Sequence, residues 1–262
     1  WADNVHKYVE KQAPDTKQVI ASSEFFTNTN KFNTRPIIGF LKRFNDEIWS
    51  YGEIKIIIVL RNQADRFASG YAQTSCTKFK ASQKDFENSF RLYVKRQGEH
   101  MNYYLWIKNL FEAFGKENVC VLLIEEIGKQ SFWRELFHFC GIDSIDPEEM
   151  LHGKSRNTRR TSEKTWKLRP FDAERKANEW ALRFFGLLWP PHFGIEMRQD
   201  AYQSFKNLIT TYYSNKIKGT ANDRGQIVLN NALRRRILSH YEDANRELSI
   251  LLDKDLGALD YL

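Results

Sequence analysis

The run Ile54 to Tyr71, I-K-I-I-I-V-L-R-N-Q-A-D-R-F-A-S-G-Y, joins a β-branched stretch to a guanidinium and then to a hydroxyl. Its apolar part predicts a strand over Ile54–Leu60. Arg61 then stands at the carboxyl end of that strand, Asn62 and Gln63 form a polar turn, and a helix from about Ala64 to Gln73 carries Ser69 near its front. In open α/β sheets, ligands gather just beyond the carboxyl ends of the strands. Arginine at such a place suits a doubly charged phosphate, because its planar fork donates two parallel hydrogen bonds. A serine two helical turns on can add a hydroxyl donor. The same residues allow a plainer arrangement, in which Arg61 pairs with Asp65 and binds nothing.

The elements that must position these side chains alternate in type. A strand is expected over Gln18–Phe26 and a helix over Pro36–Trp49, where Ile37, Phe40, Leu41, Phe44 and Ile48 recur at helical spacing. Two helices divided near Gly98 fill Lys84–Phe114, and Gly115 is placed to end the second. Val119–Ile124 is a second strand, buried on both faces by its composition. Ser131–Cys140 is helical and stops at Gly141, and further helices are expected over Arg175–Leu188, Tyr202–Tyr213 and Asn230–Leu252. The last turns Leu233, Ile237, Tyr241, Leu248 and Leu252 inward. Leu151–Thr165 and Lys216–Gln226 read as loops. Strands alternating with helices predict an α/β fold with a parallel sheet flanked by helices, in one domain over residues 1–262.

Composition bounds the partners. With 262 residues and 42% hydrophobic content the chain can bury a sizeable core. A formal net charge of +7 favours anionic partners. The basic residues are dispersed, and no helix-turn-helix, zinc-finger or RNA-recognition pattern is present, so nucleic acid is not the expected partner. No apolar stretch is long enough to span a membrane. Cys76, Cys120 and Cys140 have no metal-ligand spacing and form no disulfide framework, which makes a reducing compartment such as the cytoplasm the simpler expectation. Cys120 and Cys140 lie in apolar runs and read as core.

The segment V-L-R-N-x-x-D-R-x-x-S-x-Y resembles the 3′-phosphate-binding segment of the sulfotransferases that use 3′-phosphoadenosine 5′-phosphosulfate (PAPS). That resemblance assigns the donor's 3′-phosphate to Arg61 and Ser69, and implies a fold like that of the P-loop nucleotide kinases. A proline usual in the family is replaced by Gln63, a change expected to loosen the turn without removing a phosphate ligand. Further segments resemble the family in the same order. F-G-K-E-N-V-C-V-L-L-I-E-E matches a helix ending F-G-x-E-x-V that feeds a strand ending Y-E-D-L, with Ile124 at the tyrosine and Glu125 at the glutamate. K-I-K-G-T resembles a loop that closes over the donor phosphates, which assigns Lys218 and Gly219 to the donor. The family's 5′-phosphosulfate loop, of the type P-K-[ST]-G-T-T/S, does not precede Val19. Gly128-Lys129-Gln130-Ser131 lacks its pattern and reads as a helix-start turn. Two expectations follow: an upstream segment of the natural protein supplies the loop, or the chain is a non-catalytic domain that binds an anionic glycan or nucleotide.

The implied activity is sulfonate transfer to a hydroxyl or amine, with a carbohydrate the favoured acceptor. Such transfer resembles phosphoryl transfer, an in-line displacement with charge on peripheral oxygens. It calls for cationic or N–H donors and benefits from a base, and it does not itself require a metal. Glu24, at the end of the first expected strand beside Ser22 and Ser23, is the candidate base, although S-S-E-F-F departs in register from the family's E-K-[ST]-x-x-Y-F. His6, His100 and His152 are alternatives outside any matching motif. The basic run Lys154–Arg160 reads as a solvated loop or a contact for an anionic ligand, and Arg234–Arg236 as a solvated helix face. Trp166, Trp180 and Trp189 read as core packing, with stacking on a sugar as the alternative.

Overall fold

The structure is a computed structural model. It describes residues 38, 39, 42, 55–97, 101–142, 146, 148, 150, 160–162, 164–188, 195–217 and 225–262. The chain divides into two compact units, one made of Trp1–Gln63, Leu92–Lys154 and Leu238–Leu262, the other of Ala64–Arg91 and Ser155–Ile237.

In the first unit, strand β1 (Ile56–Leu60) pairs in parallel with β2 (Val119–Leu123), Ile56 opposite Val119 and Leu60 opposite Leu123. All five β2 residues are buried, as the unbroken apolar run requires of a strand covered on both faces. Helix α3 (Tyr103–Phe114) packs on β2 and buries Tyr103, Ile107 and Leu110. Asn102 starts it by accepting a hydrogen bond from the Leu105 amide at 3.0 Å. Gly115 ends it at φ 84°, where a Cβ would collide with the Glu117 carboxylate. Helix α4 (Gln130–Cys140) opens at the Gly128–Lys129 turn and sets Phe132, Trp133, Leu136 and Phe139 against Cys120 and Leu122. It closes in a Schellman motif, with left-handed Gly141, Gly141 N–H on His138 O at 3.0 Å and Ile142 N–H on Phe137 O at 2.9 Å. Lys254, beyond the last helix, bonds Glu135 of α4 at 2.9 Å and Val121 O of β2 at 3.3 Å.

In the second unit, helix α1 (Gln63–Thr74, from Ala64 onward) and the first turns of α2 (Gln83–Gln97) are joined by rings. Phe67 lies 5.4 Å from both Phe86 and Phe90, and Tyr71 lies 5.1 Å from Phe86. Three short antiparallel strands, β3 (Arg160–Ser162), β4 (Thr165–Lys167) and β5 (Gln226–Val228), form a ribbon in the order β3-β4-β5. This corrects the expected loop over Leu151–Thr165 at Arg160–Ser162, for three-residue strands with polar alternate positions carry no periodic signal; of the expected loop Lys216–Gln226, Lys216 and Ile217 are helical, Gln226 opens β5 and residues 218–224 lie outside the described residues. Gln83 caps β5 as a strand would, donating to Val228 O at 3.0 Å and accepting from Val228 N–H at 2.8 Å. Helices α5 (Ala173–Leu188) and α6 (Ile195–Ile217) pack together, tied by Lys206 to Glu174 at 2.8 Å. The final helix, α7 (Asn231–Leu252), gives its first turns to the second unit and the rest to the first. Its residues Leu233, Ile237, Tyr241 and Leu248 are buried as expected, whereas Leu252 is half-buried.

The expected strand Gln18–Phe26 lies outside the described residues; of Pro36–Trp49, residues 38, 39 and 42 are described, and they are helical. Among the described residues no helix is long and apolar enough to cross a membrane. Trp166 is buried in the core, but Trp180 is exposed and so corrects the core expectation for that residue. The three cysteines are free thiols; Cys76 and Cys120 are buried and Cys140 is half-buried.

Burial pushes the Cys120 thiol from its ordinary 9.0 up to about 12, with the Glu135 carboxylate adding to the effect. The unfolded chain therefore releases this proton at lower pH than the folded one. The stabilisation is complete below pH 9.0 and is lost as pH rises toward 12. Urea midpoints should fall less between pH 8 and pH 11 in Cys120→Ala than in the parent; equal falls would refute this account of the thiol.

Candidate functional site

Strand β1 delivers Arg61 at its carboxyl end, half-buried, and a buried polar network fixes the three residues that follow the strand. The Arg61 carbonyl accepts from the Tyr103 hydroxyl at 2.8 Å. The Asn62 N–H donates to Glu125 Oε1 at 2.8 Å, and its side-chain amide donates to the Asp260 carbonyl. Gln63 faces Asn245 of α7 as a reciprocal amide pair: Gln63 Nε2 donates at 2.6 Å and Asn245 Nδ2 returns a bond at 3.2 Å. Gln63 Nε2 also reaches Met101 O at 3.3 Å, and Asn245 Nδ2 donates to Tyr261 O at 2.6 Å. The Tyr261 hydroxyl closes the circuit on Glu125 Oε2 at 2.9 Å. Asn62, Gln63, Tyr103, Asn245 and Tyr261 are all but inaccessible to solvent. Gln63 therefore does not loosen the turn, as expected from the missing proline. It ties the turn to the last helix.

Glu125 lies in a 3-10 turn just after β2, and Ile124 begins that turn instead of ending the strand. Its carboxylate clasps the backbone of the Arg61–Gln63 turn from one side and the chain's penultimate residue from the other.

Asp65, the alternative partner for Arg61, bonds the Arg234 guanidinium at 2.8 Å, a pair with little exposure on either side chain. Arg234 is thus not part of a solvated face, and the expected basic patch is corrected there. Arg236 lies over the Phe90 ring at 5.3 Å. Among the described residues the Arg61 guanidinium takes part in no hydrogen bond or ion pair. Ser69 is half-buried in the middle of α1, not near its front, so it can offer its hydroxyl but not a free helix-end N–H. Its hydroxyl too engages no partner among the described residues.

Glu24, Lys218 and Gly219 lie outside the described residues, as do His6, His100 and His152. Of the basic run Lys154–Arg160 only Arg160 is described, and it opens β3. Among the described residues no group of three or more His, Cys, Asp or Glu side chains could hold a metal ion.

The family model of the sulfotransferase domain matches residues 15–179, well over half the chain. The chain belongs to the sulfotransferase family. Comparison with curated proteins and with solved structures finds no match. The sulfotransferase match takes in Glu24, Arg61, Ser69 and Glu125, and ends before Lys218 and Gly219. Sulfotransferase membership supports sulfonate transfer from a donor to an acceptor, and the family generally uses PAPS.

The residues that hold the turn were missed in the sequence, but one signal was available. Asn245 falls on the inward stripe of α7, between Tyr241 and Leu248. A polar residue at a core position needs a buried partner. Asn245→Leu should cost ~1–3 kcal/mol in urea unfolding, because it removes the partner of both Gln63 amide atoms and a donor to the Tyr261 carbonyl. Adding Gln63→Leu should cost less than the sum of the two single changes. Additive effects would show that the amide pair is not the link.

Proposed function

We propose that the chain transfers the sulfonate of PAPS to a hydroxyl or amine of a carbohydrate. In this reading Arg61 grips the 3′-phosphate of the donor and the Ser69 hydroxyl supplies a further donor to it. Lys218 and Gly219 close over the donor phosphates, and Glu24 accepts the proton of the acceptor. The observation that carries the reading is a half-buried guanidinium, spared from Asp65 and unpaired among the described residues, on a turn whose backbone is tied on both sides. A cation so placed is partly desolvated, with no counterion among the described residues, and a phosphate offsets that cost.

The reaction is a displacement at sulfur. The acceptor oxygen or nitrogen attacks the sulfonate in line with the bridging oxygen. The sulfur–oxygen bond to the 5′-phosphate breaks as the new bond forms. Adenosine 3′,5′-bisphosphate leaves with the electron pair, and the acceptor's proton passes to the base. The donor nucleotide's remote 3′-phosphate contributes by orientation, since binding energy far from sulfur holds the reacting atoms in line.

A second reading, a sulfotransferase-like domain that binds an anionic glycan or nucleotide without turnover, is favoured by the lack of a P-K-[ST]-G-T-type loop in these 262 residues. Adenosine 3′,5′-bisphosphate at a hundredfold excess over its Kd should stabilise the chain by ~2.7 kcal/mol and raise Tm. Arg61→Ala should remove most of that shift and leave the ligand-free Tm nearly unchanged. A shift that persists in Arg61→Ala would remove Arg61 from the donor site. Nucleotide binding without transfer of labelled sulfonate to any carbohydrate acceptor would favour the second reading.

A further inference from the structure

Residues 253–262 follow α7 and return to the strand end that carries Arg61. Most of this segment lies at the surface, and only Leu256 and Tyr261 are buried. It holds two aspartates at positive φ, Asp253 at 55° and Asp260 at 67°. Few side chains other than those of aspartate and asparagine accept that left-handed region. Its last turn is closed by Asp260 N–H on Gly257 O at 3.0 Å and Tyr261 N–H on Leu256 O at 3.1 Å. A segment with so few buried side chains belongs to the part of a structure that opens locally before the rest.

The end of the segment nevertheless makes three bonds toward the turn after β1. The Asp260 carbonyl accepts from the Asn62 side-chain amide. The Tyr261 hydroxyl donates to Glu125 Oε2 at 2.9 Å, and the other oxygen of that carboxylate holds the Asn62 N–H at 2.8 Å. The Tyr261 carbonyl accepts at 2.6 Å from Asn245, the partner of Gln63. Each bond therefore ends, directly or through one side chain, on Asn62 or Gln63, the two residues that follow Arg61. All of these groups belong to the unit that holds Arg61. None of them has to touch a ligand to influence how Arg61 is presented.

We propose that residues 253–262 form a clasp whose docking is coupled to donor binding, with Tyr261 as a positioning residue for Arg61. The inference deepens the proposed function and rests on it, since Arg61 must hold the 3′-phosphate for the coupling to exist. Docked, the clasp fixes the turn and confines the base of the Arg61 side chain. Undocked, Glu125 and Asn62 lose the Tyr261 hydroxyl and the Asp260 carbonyl, and the turn gains freedom that a bound phosphate must remove. Coupling of this kind is reciprocal: whatever factor docking adds to donor affinity, the donor adds to docking. A segment with a structural role alone would lower stability when damaged and leave the choice between nucleotides unchanged.

The test uses the full chain, with adenosine 3′,5′-bisphosphate and adenosine 5′-monophosphate as probes. In calorimetric titrations Tyr261→Phe should weaken bisphosphate binding ~3–10-fold and leave monophosphate binding nearly unchanged. Phe132→Leu, in the core beneath α4, should lower Tm and preserve the ratio of the two affinities, which controls for lost stability alone. Hydrogen exchange on the parent chain adds a measurement that depends on no variant. Bound bisphosphate should slow exchange of the Tyr261 amide ~3–10-fold, and bound monophosphate should not. An unchanged affinity ratio in Tyr261→Phe, or exchange at Tyr261 that is indifferent to the bisphosphate, would overturn the clasp and leave the donor reading standing. If the bisphosphate does not bind the parent chain, the donor reading fails and the clasp falls with it.

Discussion

The pairing of Gln63 with Asn245 is the constraint on which the candidate donor site depends. Two side-chain amides, both fully buried, exchange hydrogen bonds across a gap in sequence that no local propensity spans. Each amide left without a partner would cost about 1–3 kcal/mol, so the pair selects one register of the turn over its neighbours. Asn62, Glu125, Tyr103 and Tyr261 extend that selection to the backbone on either side of Arg61. A guanidinium has four rotatable bonds, and little can be done to order it through its own stem. Fixing the strand end and the turn that carry it reduces the freedom that a ligand must remove on binding.

Two arginines of the chain stand in different surroundings. Arg234 finds Asp65 inside its own unit, in a pair with little solvent exposure. Such a pair does little for net stability but is costly to break from one side. Arg61 is given no such partner among the described residues. By taking Asp65, Arg234 leaves Arg61 available. Under the proposed function, Arg234 serves the fold and Arg61 is left for the anion.

Much of this architecture could be read from residue order. β-branched runs gave both parallel strands to within a residue or two, and Gly115 and Gly141 ended their helices because only glycine accepts those backbone angles without strain. Periodicity gave the inward face of α7. Pairing of short polar strands could not be read, because β3, β4 and β5 are each three residues long and are held by partners distant in sequence. The candidate site was half legible. Arg61 stood out through its place after an apolar strand, whereas the fate of Asp65 and the role of Gln63 depended on Arg234 and Asn245, far along the chain. Trp180 shows the same limit: an aromatic residue on an amphipathic helix reads as core until the helix is placed.

The central claim is that Arg61 recognises one phosphate, the one on the 3′ position of the donor's ribose. Calorimetric affinities for adenosine 3′,5′-bisphosphate and adenosine 5′-monophosphate, each measured on the parent chain and on Arg61→Ala, isolate that single contact. A charge-assisted bidentate contact predicts a preference for the bisphosphate of ~10–100-fold in the parent, and near equality of the two ligands in the variant. A preference that survives the loss of Arg61 would contradict the account, for the 3′-phosphate would then be held elsewhere.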